Sequence, residues 1–247
     1  MQHKQISIII ATYNAEPYLQ LTLDSLKLQT CKNFELIIVD GDSKDNTLSI
    51  IMSNKEIITK YISEPDKGIY DAWNKGIKIS NGKWICFLGA GDTLIPDAFS
   101  KYIELINQVN EDFDYVSARI KRVDESGHFL TEIGEPWNWR NFKKIMTTAH
   151  VGSLHNRNLF EELGLFNTDY KICSDYEFLL RKKSDLRCLF LDQIIGCMPI
   201  GGVSFSVAAL CESAKAKYMT GKQPFSLVIF TFITQLILLK TFRLRHK

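Results

Sequence analysis

The chain has 247 residues, a net charge of +2 and 23% charged residues, which excludes a global basic field for nucleic acid and leaves room for one large α/β domain. Its six cysteines lie far apart, with no Cys-x-x-Cys pair and no histidine at zinc-ligand spacing. That excludes a zinc ribbon or a disulfide scaffold, and reduced, mostly buried thiols are expected.

MQHKQISIII enters a run of β-branched residues within five positions and has no long apolar region, so no signal peptide is expected. Residues 6–10 read as a buried parallel strand ending in the polar ATYN. From 16 to 29, Leu19, Leu23 and Leu26 recur at helical spacing, with Pro17 in the first turn. Residues 34–39 form a second apolar strand, and the polar DGDSKDNT leads into a further helix. Residues 60–62 continue the alternation, which implies a parallel sheet with right-handed crossovers.

The chain is organised around residues 63–92, SEPDKGIYDAWNKGIKISNGKWICFLGAGD. Gly68 frees the backbone after an acidic loop, and Ile69, Ala72, Trp73, Gly76 and Ile77 recur at helical spacing. Ser80-Asn81-Gly82 closes that helix with a residue able to take positive φ, and 84–88 is a core strand. The chain then turns through Gly89-Ala90-Gly91 to deliver Asp92. Each strand of this half ends in side chains that can bind: Thr12 and Asn14, Asp40 and Asp42, Glu64 and Asp66, then Asp92. In open α/β sheets ligands gather beyond the carboxyl ends of the strands. Turn chemistry is the competing explanation for any one loop. No glycine cradle or Walker lysine is present, so a bound phosphate calls for a divalent cation, Mg²⁺ or Mn²⁺, with Asp92 as its ligand.

The succession ISIIIATYN, ELIIVDGDSKDNT, SEPDKGIYDAWNKGI and GKWICFLGAGD resembles the family 2 glycosyltransferases with a GT-A fold. It is most like the bacterial group that builds O-antigen, lipopolysaccharide and colanic-acid-type exopolysaccharides. The resemblance covers about residues 5 to 205. It implies an α/β fold with a Rossmann-like mixed central sheet flanked by helices, and a nucleotide-sugar donor. Under it, Thr12, Asn14 and Asp40 contact the nucleoside, Asp66 and Asp71 line the donor pocket, and Asp92 holds the metal. Tyr13, Asn74 and Gly91 complete the donor-binding candidates, with Glu16 beside them. Two departures stand out. Gly89-Ala90-Gly91-Asp92 keeps only the last carboxylate of the family's acidic motif, and Trp73 stands where many members carry Arg.

Residues 96–109 read as a helix and 114–122 as a strand, with a hairpin turn at 124–127 before a strand over 128–133. This edge would shape the acceptor. His150 and His155 are either metal or diphosphate neighbours or satisfied loop histidines; the resemblance supports His150 more. A helix follows over 157–163. Ser174 suits a helix cap, and Asp175 and Glu177 suit a first turn. The resemblance makes Asp175 the general base of an inverting transfer, with Glu177 the weaker candidate. Gly202, after Pro199, falls in a segment resembling a loop that closes over the donor.

The expected organisation is a catalytic domain over 1–222, with a nucleotide half to about 110 and an acceptor half beyond, and an apolar, basic tail over 223–247. Residues 225–239 are mostly apolar and short of the roughly 20 that cross a bilayer. A helix lying on the cytoplasmic face of the inner membrane is the expectation, with a packing helix or homodimer contact as the alternative. The function that follows is an inverting, metal-dependent transfer from a nucleotide sugar, UDP-sugar favoured through Asp40, to a lipid-linked saccharide. A nucleotidyltransferase would need a basic, glycine-rich loop after the first strand, which ATYNAEPYL lacks. A non-catalytic sugar or nucleotide module is the other alternative.

Overall fold

The computed structural model describes residues 5–109, 111–124, 126–201 and 204–245, with side chains described as far as Thr241. Its first half is the alternation expected: β1 (Ile6–Thr12), α1 (Leu19–Lys27), β2 (Phe34–Asp40), α2 (Thr47–Ser53), β3 (Lys60–Ser63), α3 (Ile69–Ile79) and β4 (Trp84–Gly89). Then come β5 (Thr93–Leu94), α4 (Ala98–Asn107), β6 (Tyr115–Val123), β7 (Phe129–Ile133), α5 (Trp139–Phe142), β8 (Leu154–Asn156), α6 (Arg157–Leu163) and α7 (Ser174–Lys182). β9 (Cys188–Pro199), α8 (Val207–Met219) and α9 (Phe225–Arg245) complete the described elements.

Among the described residues nine strands make one mixed sheet in the order β3-β2-β1-β4-β8-β6-β9-β5, with β7 paired to β6. The pairs β1–β2, β1–β4 and β2–β3 are parallel. Short β8 runs antiparallel to both β4 and β6 and so joins the two halves. Strand alternation supplies two cores. Ile6, Ile8, Ile10, Leu36 and Ile38 face α1 and α4, while Ile9, Ile37, Val39, Ile85 and Phe87 face α3, α6 and α7. Each such fully buried side chain contributes about 1.5–3 kcal/mol, and both layers fix the level at which the strands end.

Several local expectations change. Pro17 precedes α1 instead of opening it, because the Ala15 carbonyl accepts from the Tyr18 and Leu19 N–H groups in a separate turn. Gly82 does not take positive φ; Ser80 ends α3 in an extended conformation. A Cβ at Gly82 would lie 2.6 Å from the Ser7 nitrogen, so close approach of the loop before β4 to β1 is the reason for glycine there. Cys86 alone among the cysteines is fully buried; all six are free, and Cys211 is exposed. Ser174 is not a cap. Cys173 occupies the N-cap of α7, and the Ser174 hydroxyl, on the first helical residue, is buried without a partner. The hairpin turn forms, with Gly127 at φ 83° donating to the Asp124 carbonyl, while Glu125 lies outside the described residues.

The tail helix α9 has 21 residues rather than fifteen. Val228, Thr231 and Leu239 are buried against the body, whereas Phe230, Ile233, Ile237 and Leu238 are exposed. Among the described residues no helix is long and apolar enough to cross a membrane.

Candidate active site

Strand register brings the candidate residues to one level. Thr12 is paired with Asp40 and Asp40 with Ser63, while Ala11 is level with Gly89 at the end of β4. Four parallel strands therefore present their carboxyl ends side by side.

Asp40 is fully buried and its carboxylate is consumed internally. Thr12 Oγ1 donates to Oδ1 at 3.0 Å, Ser63 Oγ to Oδ2 at 2.8 Å, and both the backbone N–H and the hydroxyl of Ser43 add further bonds. Asp40 thus aligns three strand ends, and its geometry offers no free oxygen to a nucleobase. Asn14, at φ 47°, accepts the Lys44 N–H, and Glu16 accepts both N–H groups offered by Asn46. These bonds lash the loop after β1 to the loop after β2. Tyr13 remains exposed beside them.

A tight cradle opens at Gly41. A Cβ there would sit 2.5 Å from Asp66 Oδ2 and 3.4 Å from the Tyr13 ring, so any larger residue would have to push the Asp66 carboxylate aside. Asp66 also accepts the Gly68 N–H at 2.7 Å, where φ of 116° requires glycine before α3. Asp71, in the first turn of α3, accepts the Lys67 N–H at 3.1 Å. Asn74 lies deeper, its amide exchanging two bonds with the backbone of Phe166. Trp73 is buried against Tyr70, Phe87, His150 and Phe166. The indole that replaces the family's cation is therefore a core group.

Asp92 is buried at the end of β4, with Oδ2 accepting the Gly89 N–H at 2.7 Å. Burial pushes its carboxyl up to about 7, against the opposing pull of that hydrogen bond. Gly91 takes φ of 104° to make the turn and lies against Tyr18 and Pro199. Among the described residues no three His, Cys, Asp or Glu side chains cluster to hold a metal. The donor set still fits a hard divalent cation. A buried carboxylate with one oxygen unbonded by any described residue gains from a positive partner, provided phosphates and water fill the remaining positions.

Asp175 stands half-buried in the first turn of α7. Its Oδ1 accepts from Tyr70 Oη at 3.0 Å and from the Tyr176 N–H at 2.8 Å. The loop before it rests on the donor half, since Lys171 Nζ donates to the Lys67 carbonyl at 2.9 Å. Glu177 is held by Arg181 and by the Thr220 hydroxyl. His150 packs on Trp73, Phe87 and His155, its Nε2 buried without a partner; burial lowers its basicity, offset by the charge of Asp175. His155 is wholly buried and held well below the usual imidazole range by burial, then by His150. Gly202 lies outside the described residues. Sequence reading missed Tyr70, whose signal was an amphiphilic ring next to Asp71 and one turn from Asn74.

Parallel strand ends carrying carboxylates, a glycine-relieved cradle and a further carboxylate from α7 define an α/β transferase of the GT-A type. The model of glycosyl transferase family 2 matches residues 7–185, and the chain belongs to that family. A PGL/p-HBAD biosynthesis glycosyltransferase of Mycobacterium tuberculosis is 32% identical over 188 residues, covering 73% of this chain and 70% of its own. An uncharacterized glycosyltransferase of Haemophilus influenzae is 30% identical over 181 residues, covering 71% of this chain and 61% of its own. Among solved structures, S. aureus TarS 1-349 in complex with UDP superposes with a TM-score of 0.70 at 17% identity, covering 92% of this chain and 69% of that one. The mannosyltransferase PcManGT of Pyrobaculum calidifontis, in complex with GDP-Man and Mn²⁺, gives 0.66 at 15% identity, covering 91% of this chain and 66% of that one. The chain is a glycosyltransferase, and the nucleotidyltransferase and non-catalytic alternatives are set aside.

Proposed function

We propose that the chain moves a sugar, with inversion, from a nucleotide-sugar donor to a hydroxyl of a lipid-linked saccharide. The observation that supports this reading is the bond from Tyr70, at the start of α3, to Asp175, which together with the bond from Lys171 to the Lys67 carbonyl sets the start of α7 against the loop that holds Asp66. One carboxylate is then available to take a proton while the donor lies along the others. Donor binding falls to Tyr13 and Asp66 around Gly41, with Thr12 and Asp40 holding the strand ends in line. Asp92 would hold Mg²⁺ or Mn²⁺, which when bound neutralises charge on the departing diphosphate. Asp175 accepts the hydroxyl proton as the new bond forms, and no covalent intermediate is needed.

UDP-sugar is the favoured donor. With Asp40 engaged internally, support for uracil comes from the fold shared with TarS bound to UDP rather than from a base contact; GDP-Man in PcManGT keeps guanine in play. A mycobacterial relative assigned to PGL/p-HBAD biosynthesis supports a lipid-borne acceptor. Assembly of bacterial O-antigen or another surface polysaccharide, on the cytoplasmic face of the inner membrane, is the setting this implies. The outer apolar face of α9 and the basic Lys240, Arg243 and Arg245 support peripheral attachment there.

The test is thermal unfolding of the full chain with UDP, GDP, dTDP or CMP, each with and without Mn²⁺. One nucleotide at a hundred times its Kd contributes about 2.7 kcal/mol, a rise of roughly 5 °C or more at this length. A Mn²⁺-dependent rise with UDP is expected. A rise with GDP alone would replace the donor class, and stabilisation without Mn²⁺ would remove the metal.

A further inference from the structure

Asp175 has two chemically different oxygens. Oδ1 is tied to Tyr70 and to its own helix, whereas no described residue bonds Oδ2. Tyr70 is 4% exposed and its hydroxyl has one proton for two acceptors, Asp175 Oδ1 at 3.0 Å and the Ile172 carbonyl at 2.7 Å. Among the described residues no lysine, arginine or histidine forms an ion pair with the carboxylate. Tyr115 on β6, His150 before β8 and Cys173 beside it each feel the charge of Asp175. Burial pushes the phenol and the thiol up and the imidazole down, so all three are neutral near pH 7. Tyr70 is therefore the one side-chain donor that reaches this carboxylate from another described element.

We infer that Tyr70 is a positioning residue for the general base: it occupies Asp175 Oδ1, turns Oδ2 toward the acceptor hydroxyl, and shifts its proton between two acceptors as the carboxylate is consumed. The inference rests on the reading of Asp175 as the base. While Asp175 is ionised, the bond from the phenol is charge-assisted and about twice as strong as a neutral one. In the transfer, the acceptor oxygen bonds to the anomeric carbon. The bond from that carbon to the diphosphate oxygen breaks with its electron pair leaving on the diphosphate, and the acceptor's proton passes to Oδ2. Oδ1 then becomes a weaker acceptor, and the Tyr70 proton swings to the Ile172 carbonyl, which is already within reach. The phenol gives up no proton; it changes partner. The same side chain thus favours the ionised base before attack without leaving a buried hydroxyl unpaired afterwards. Its desolvated phenol, held well above the ordinary tyrosine range by burial and then by Asp175, stays protonated throughout.

Carboxyl NMR of the full chain labelled with ¹³C-aspartate tests this without needing the true substrates. The resonance lost in Asp175→Asn is Asp175, and its titration midpoint is compared in wild type and Tyr70→Phe. A midpoint that moves upward in Tyr70→Phe is expected; equal midpoints overturn the inference. A merely structural role would lower the unfolding temperature of Tyr70→Phe without moving that midpoint. Nucleotide release from UDP-GlcNAc or GDP-mannose with Mn²⁺ separates the two levels. Asp175→Asn is expected to lose roughly 100-fold or more, while Tyr70→Phe loses less and shifts the acidic limb of its profile upward. Unimpaired release by Asp175→Asn would overturn the base reading, and a wild-type profile in Tyr70→Phe beside a dead Asp175→Asn would overturn the role of Tyr70 alone.

Discussion

Asp92 is buried with no cation paired to it among the described residues, so a proton and a metal compete for the same oxygen. The sign follows from its raised carboxyl. The native state keeps the proton to about 7 while an unfolded aspartate releases it near 3.8, so without metal stability falls as pH rises between those values. Asp92→Asn is expected to keep the fold, to raise the unfolding temperature at pH 8 in EDTA, and to converge on wild type near pH 4. Differential scanning calorimetry across that range checks it. The same variant is expected to lose Mn²⁺-dependent turnover, and near-normal turnover would take Asp92 out of the site. What could be read at this scale from sequence was position, not state. Asp40 and Asp92 each stand at a strand end as expected, yet one is saturated by Thr12, Ser43 and Ser63 and the other is nearly bare. Ser43 is three positions away, but Thr12 and Ser63, which complete the saturation, lie 28 and 23 positions off, and no local pattern reveals them.

Elements with a strong period were legible and those made by pairing were not. β1, β2, β4 and α3 follow from apolar runs and helical spacing. β8 has three residues and β5 two; each exists because a neighbouring strand offers a ladder edge, not because its own residues demand extension. The α8–α9 pair hides a second surprise. Lys217 is almost fully buried, its ammonium reaching only Thr231 Oγ1 at 3.3 Å among the described residues, and burial pulls it down to about 8. An unfolded lysine holds its proton to about 10.5, so stability rises with pH between these values and the buried charge is a cost below 8. Lys217→Met is expected to raise the unfolding temperature by a few degrees at pH 7, with the gain fading by about pH 10.5. An equal gain at both pH values would show packing, not charge, to be the cause.

For the whole molecule, the two faces of α9 make separable predictions. Phe230, Ile233, Ile237 and Leu238 point away from the body, so Ile233→Glu with Ile237→Glu is expected to abolish sedimentation with vesicles containing anionic lipid while leaving the unfolding temperature unchanged. A change in sedimentation coefficient without vesicle binding in the wild type would instead make this face a contact between copies. Glu212 of α8 has a longer reach than its place in the chain suggests: its carboxylate accepts the backbone N–H groups of Lys171, Ile172 and Cys173, the three residues that carry the chain toward Asp175. The family model stops at residue 185, short of that clamp. Two practical results follow. A chimera that grafts a relative's catalytic portion at that boundary leaves three amides of its loop without their acceptor, and the cut belongs after α8. On the ribosome, likewise, the strand ends can assemble early, but the loop beneath Asp175 is not fastened until Glu212 has emerged some forty residues later, so the donor cradle is built before the base is set.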